Sequence, residues 1–260
     1  MNLFDTHCHL GDAPLGGNVD ATLAAARTVG VTRFLIPSVD AASSEMALGL
    51  AATHAGVQAA VGWHPAFLES GVDLDALDRM INRGSVTAIG EIGLDRITKK
   101  ADIVVQEHAF ALQLAFAADK GLPVIIHCRN AFARAVQLLD DMHGRQPRGV
   151  FHAYAGSWEI AQHLANLGFF FGVGGSITRP QATRLRSTIS RLPLDSLVLE
   201  TDAPYIGTAN IDRGTMTPAH LPEVASALAE LHGLAVETVV RVTTANAEAL
   251  FGVERPGGAG

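Results

Sequence analysis

The feature that most constrains the fold is an alternation, repeated eight times, of a short β-rich run with a stretch of helical periodicity. The runs fall at 3–9, 32–36, 57–61, 86–90, 123–127, 149–152, 169–173 and 197–200. Most lack strict apolar/polar alternation, as strands covered on both faces do. Between them, Val105, Ala109, Leu112 and Phe116 recur at helical spacing, as do Leu221, Val224, Leu228 and Leu231. Gly30, Gly56 and Gly121 stand just after helix-like stretches, where a left-handed cap is wanted. Eight such units in about 250 residues predict a (β/α)8 TIM barrel. A doubly wound open sheet is the competitor, but no Gly-x-Gly-x-x-Gly follows the first run. The expected organisation is one domain over 1–253, with an extra helix over 235–250 after the eighth unit and a flexible tail, "ERPGGAG", at 254–260.

Composition narrows the partners. Of 260 residues 48% are hydrophobic and only 17% charged, which suits a large core. A net charge of −7 argues against a broad basic face for nucleic acid while leaving room for a local phosphate pocket. Two cysteines suggest no disulfide framework and fit a reducing cytoplasm. No stretch of 18 apolar residues occurs, and no basic segment leads into an apolar run, so neither a membrane span nor a signal peptide is expected.

The unusual polar residues repeat one offset. His7 and His9 end run one, and His64 follows run three. Glu91 and Asp95 follow run four, His127 ends run five, His152 ends run six, and Glu200 and Asp202 end run eight. In a barrel these ends meet at one mouth, where active sites sit. The two histidines of His7-Cys8-His9 share a strand face, and Cys8 points away as a small buried hydrophobe, as Cys128 does beside His127. Imidazoles and carboxylates converging in an apolar barrel repel or take up protons unless cations lie between them. The mixed nitrogen and oxygen donors predict divalent metal, two ions per chain, and suit zinc, magnesium, manganese or iron. Asp95 is either a partner for the second nitrogen of a ligand histidine or a plain helix-start carboxylate. His64 is a substrate contact or a turn-stabilising residue beside Pro65. Arg129, two after His127, faces the mouth to bind phosphate or pairs with a carboxylate. The amides near Gly174 in "GVGGS" cradle an anion or simply pack the rim.

Taken together, "FDTHCHL", "GWHP", "GEIGLD", "QLAFAADKGLPVIIHCRNA", "GVGGSIT", "LETDAPY" and "TTANAEALFG" resemble the TatD family of metal-dependent deoxyribonucleases, within the amidohydrolase-like barrels. The resemblance runs over nearly the whole chain. It implies a (β/α)8 barrel, divalent metal, and hydrolysis of DNA phosphodiesters, often from the 3′ end. It makes His7 and His9 ligands of one metal, Glu91 the shared carboxylate, His127 and His152 ligands of the second metal, and Asp202 the last ligand beside the attacking water. Asp202 and Glu91 are thus the expected catalytic pair. His64, Arg129, Gly174 and Tyr205, the aromatic that closes "LETDAPY", are the expected substrate contacts. The expected substrate is DNA, through single-stranded ends. Three places depart from the family pattern: Tyr154 after His152, Met216 ahead of the last helices, and Arg96 after Asp95. All three are expected where substrate is held. Two other readings remain open: hydrolysis of a carboxylic ester or amide, such as an aminoacyl-tRNA ester, and non-catalytic nucleic-acid binding.

Overall fold

The computed structural model describes residues 2–84 and 86–252. The expected tail at 254–260 lies outside them. Eight parallel strands follow one another around the sheet in chain order: β1 Leu3–Asp5, β2 Val31–Ile36, β3 Val57–Val61, β4 Val86–Asp95, β5 Val124–Arg129, β6 Gly149–Phe151, β7 Phe170–Val173 and β8 Leu197–Leu199. The helices between and after them are α1 Val19–Thr28, α2 Ala41–Thr53, α3 Leu74–Asn82, α4 Ile103–Lys120, α5 Phe132–Asp140, α6 Trp158–Asn166, α7 Thr183–Ile189, α8 Leu221–His232 and α9 Val236–Phe251. Five of them start where the sequence supplies a cap: the side chains of Asn18, Asp40, Asp73, Asp102 and Ser157 each accept a first-turn amide. Gly121 ends α4 in the left-handed conformation, as its position predicts.

The barrel closes between its first and last strands through buried bonds. Asp5 accepts from the Thr201 amide at 2.9 Å and its hydroxyl at 2.6 Å, and the Thr6 amide donates to the Leu199 carbonyl at 3.0 Å. Further up, His7 O accepts from Asp202 N at 2.8 Å, His9 N donates to Ala203 O at 2.8 Å, and Cys8 bridges Ala203.

The interior is filled at one level by Phe4, Leu35, Ala60, Ala88, Ile125, Val150, Phe170 and Val198, one side chain from each strand. Ala247, Leu250 and Phe251 of α9 join this cluster and plug the end of the barrel away from the histidines. The larger apolar layer lies outside the strands, beneath the helices, and contains Cys8, Ile92, Leu94, Tyr154 and Met216. Cys8 therefore packs behind the site, as the strand period predicts.

Two strands do not keep their period. β1 pairs only to Asp5, and a bend at Thr6 shifts the inward phase from Phe4 to His7 and His9. β4 runs to Asp95 instead of stopping at 90, with an irregularity between Ile89 and Ile92 that places Glu91 inside the strand. The Gly90–Glu91 peptide is cis. In β5, β6 and β8 the alternation carries inward from Ile125 to His127, Val150 to His152, and Val198 to Glu200, and Asp202 follows β8 with a left-handed φ.

Candidate metal centre

The strand ends bring His7, His9, Glu91, His127, His152 and Asp202 into one buried cluster, in two groups on either side of Glu91. On the Oε2 side, His7 Nε2 lies 3.5 Å and His9 Nε2 3.9 Å from Glu91, and the two ring nitrogens are 3.2 Å apart. Asp202 Oδ1 completes this group at 3.7 Å from His7 and 3.5 Å from His9. On the Oε1 side, His127 Nδ1 and His152 Nε2 each lie 2.8 Å from Glu91 and 3.1 Å from one another. His64 Nε2 stands 3.6 Å from the same oxygen. The His7 and His152 rings stack at 4.0 Å, so the two groups adjoin.

These donors fit divalent cations. Ring nitrogens that face each other need a proton or a metal between them. Donors at about 2.0–2.1 Å from a tetrahedral zinc stand about 3.3–3.4 Å apart, and the donor pairs here lie 2.8–3.9 Å apart, on either side of that value. Three sets can each converge on an ion: His7, His9 and Glu91; His7, His152 and Asp202; His64, Glu91 and His127. The third set draws His64 into the donor cluster, where the sequence suggested a substrate contact or a turn.

The backbone beneath the centre is fixed by neighbours. Ser38 grips Glu91 from both sides, accepting from its amide at 2.7 Å and donating to Gly90 O at 3.2 Å. Asp202 occupies the left-handed region at φ 49°, which aspartate tolerates better than most residues. Asp95 Oδ2 lies 3.2 Å from His127 Nε2, while its Oδ1 accepts from the Ile97 and Thr98 amides. It thus orients a donor histidine through the nitrogen that does not face Glu91. Glu200 lies fully buried below His152, its Oε1 accepting from the Ala153 amide at 2.6 Å. Gly172 makes room for it, since a Cβ there would meet Glu200 Oε2 at 2.2 Å.

Charge in the pocket is strongly perturbed. Burial pushes Glu200 up to about 8 and Asp5 to about 7. Burial also lowers His7 and His64 to about 4. At Glu91 burial opposes ionisation, but His152, His64 and the bonds from His127 and His152 together outweigh it and hold the carboxyl well below its usual range. Burial likewise opposes charge on His152, yet Glu91 prevails and raises that ring to about 10. Protons on histidine thus balance the carboxylates wherever cations do not.

The cluster opens into a cavity of about 330 Å³ walled also by Asp12, Val39, Phe67, Tyr205 and Arg213. Tyr205 sets its ring edge-on to His9 at 5.0 Å and donates its hydroxyl to Asp12 Oδ2 at 2.5 Å. Of the other expected substrate contacts, Arg129 is exposed at the end of β5 and is not among the cavity walls. Gly174 lines a separate, smaller apolar cavity with Tyr154 and Ile206. Two of the three departures from the family pattern are packing residues, contrary to the expectation that they hold substrate. Tyr154 is buried, its hydroxyl tied to Ser157 O at 2.8 Å, and Met216 is wholly buried. Arg96 is exposed. Asp12, Phe67 and Arg213 were not foreseen. Arg213 and Phe67 sit in aperiodic loops that carry no pattern, whereas Asp12 lies three residues beyond His9.

Residues 4–252 match the model of the TatD related DNase family. The chain belongs to that family. It is 34% identical over 253 residues to the Escherichia coli uncharacterized metal-dependent hydrolase YjjV, covering 96% of this chain and 97% of that one. It is 30% identical over 258 residues to the E. coli 3′-5′ ssDNA/RNA exonuclease TatD, covering 96% and 99%. The crystal structure of YjjV superposes with a TM-score of 0.90 at 33% identity, over 97% of this chain and 98% of that one. This TatD-family chain is therefore a metal-dependent hydrolase on a TIM barrel. No helix among its described residues is long and apolar enough to cross a membrane.

Proposed function

We propose that this TatD-family hydrolase cleaves phosphodiester bonds of single-stranded DNA from a 3′ end, in the cytoplasm, using two divalent cations. The observation that carries the reading is the division of donors across the two oxygens of Glu91, with His7, His9 and Asp202 on one side and His127 and His152 on the other. Relatives named as 3′-5′ ssDNA/RNA exonucleases support the substrate class. Those six residues would hold the cations, which are zinc, magnesium or manganese. Bound there, the cations would acidify a water and offset charge building on the phosphoryl oxygens.

The chain's own residues do the rest. Asp202, held low by His9, His7 and His152 against its burial, is an ionised acceptor for the proton of the attacking water. Glu91, also ionised, keeps both donor groups at a fixed separation. Asp95 fixes the tautomer and tilt of His127. Arg213 on the cavity wall supplies a guanidinium for a non-bridging oxygen, and Tyr205 lines the same cavity.

A carboxylic ester or amide is the second reading. It is favoured by the cavity's having one arginine and no lysine on its walls among the described residues, and by the YjjV relative being named only as a metal-dependent hydrolase. The test offers metal-loaded protein a 5′-labelled single strand, a blunt duplex and a panel of esters, each with and without chelator. The expected result is a ladder shortening from the 3′ end of the single strand, abolished by EDTA. Chelator-sensitive turnover of esters with every oligonucleotide intact would assign the second reading instead.

A further inference from the structure

The rim beside the His64 and His127 half of the centre carries features that the chemistry at the metal centre does not use. Phe67 lies on the cavity wall and is 39% exposed, although large apolar side chains elsewhere are mostly covered. His64 meets its ring edge-on at 6.0 Å, and the Lys100 ammonium stands 4.5 Å from its centroid. Lys100 belongs to the segment that follows β4, with Arg96 and Lys99. Arg129 adjoins them, since Arg129 O accepts from the Arg96 amide at 3.0 Å and β5 runs beside β4 at this point. All four cations are exposed, and none lies within 4.0 Å of a carboxylate among the described residues. By contrast Arg33, Arg79, Arg83, Lys120 and Arg134 are each paired with one. On a chain of net charge −7, four exposed cations stand together on this one rim.

We infer that Phe67 with the Arg96, Lys99, Lys100 and Arg129 rim is the binding track for the single strand beyond the cleaved nucleotide. An exposed aromatic next to a row of cations is the combination that holds single-stranded nucleic acid: a base stacks on the ring while successive phosphates meet the ammonium and guanidinium groups. Lys100 links the two parts, since one side chain lies against the ring and reaches the rim. The track leaves the cavity on the Glu91 Oε1 side, opposite Tyr205 and Asp12. Arg129 thus acts at a distance from the cations and not at the cleaved phosphate. The inference rests on the nucleic-acid reading and deepens it.

The test is the affinity of the metal-loaded full chain for a fluorescent oligothymidylate with non-cleavable phosphorothioate linkages, measured by anisotropy across a salt series. Ordinary oligothymidylate is offered in parallel to read cleavage. Changing Arg96, Lys99 and Arg129 together to alanine should weaken binding at least tenfold. It should also lower the magnitude of the log-affinity against log-salt slope by about 2, as expected for three lost phosphate contacts on a single strand. Phe67→Ala should weaken binding about tenfold with the salt slope kept, and Phe67→Trp should restore it. A rim variant with wild-type affinity and slope would overturn the track, even with the nuclease reading intact. So would a wild type that does not bind the strand. Binding with these responses but no cleavage of ordinary DNA would overturn the nuclease reading and leave the track standing.

Discussion

Asp202 shows how much a single residue is asked to do at this centre. Its backbone amide closes the barrel on His7, its φ is left-handed, and its carboxylate stands between two imidazoles and the open cavity. Asp202→Asn keeps the shape and the hydrogen bonds of the turn but loses the charge that accepts a proton. Turnover should fall by about 10²- to 10⁴-fold while the protein still takes up metal, as read by single-turnover kinetics and metal analysis on the same sample. Unchanged turnover in the metal-loaded variant would remove Asp202 from proton transfer. The residue scale is also where the sequence was most legible. His127 and His152 follow from uninterrupted strand period, and Cys8 is placed outside once His7 and His9 face in. Glu91 and the His7–His9 pair reach the interior only through the bulge in β4 and the bend at Thr6, which no periodicity announces. Phe67 and Arg213 come from loops and were invisible for that reason, whereas Asp12 lies only three residues beyond His9.

At the scale of elements, α4 positions the site as much as any strand does. Its buried Gln113 accepts from Trp63 N at 2.8 Å and donates to Trp63 O at 3.0 Å. Seven residues earlier on the same face, Gln106 makes the same pair of bonds to Asp95, at 2.8 and 3.0 Å. One helix thus clamps the backbone next to His64 and the carboxylate that orients His127. Gln113→Leu fills similar space but leaves a buried amide and carbonyl unpaired. It should cost about 1–3 kcal/mol of unfolding free energy in denaturant titration and lower metal affinity through His64. A variant as stable as wild type would show that water or a shifted loop takes over the bonds. The apolar spacing of α4 was readable, but its two buried glutamines look like surface residues until the loops they clamp are seen. The extra helix fared better: its expected span, 235–250, differs by one residue at each end from α9, though its role as the plug of the barrel floor was not apparent.

For the whole molecule, the centre links protonation to stability. Asp5, Glu200 and His152 titrate in the folded chain at about 7, 8 and 10, above their ordinary values of 3.8, 4.5 and 6.5. A folded state that binds protons more tightly than the unfolded one is most stable below the unfolded values and loses that stability as pH rises through the folded ones. The chelated protein should therefore melt at progressively lower temperature from pH 7 to pH 10, by scanning calorimetry. His7 and His64, lowered to about 4, act in the opposite sense, but only below about pH 6.5. Saturating divalent metal, which competes with the His152 proton for the same nitrogen, should flatten the alkaline loss. A melting temperature that rises with pH in the chelated protein would contradict the charge balance described.

The barrel itself was legible from the eightfold alternation, because each strand buried on both faces needs a helix to cover it. The donor set was legible because barrel topology forces strand ends together. The central claim, two cations held on either side of Glu91, is tested most directly by metal stoichiometry. Metal-stripped full-length protein titrated with zinc or manganese should take up two ions per chain. Glu91→Ala should hold fewer and lose oligonucleotide hydrolysis. Uptake of one ion or none by the wild type, or a Glu91→Ala variant that still binds two, would contradict it.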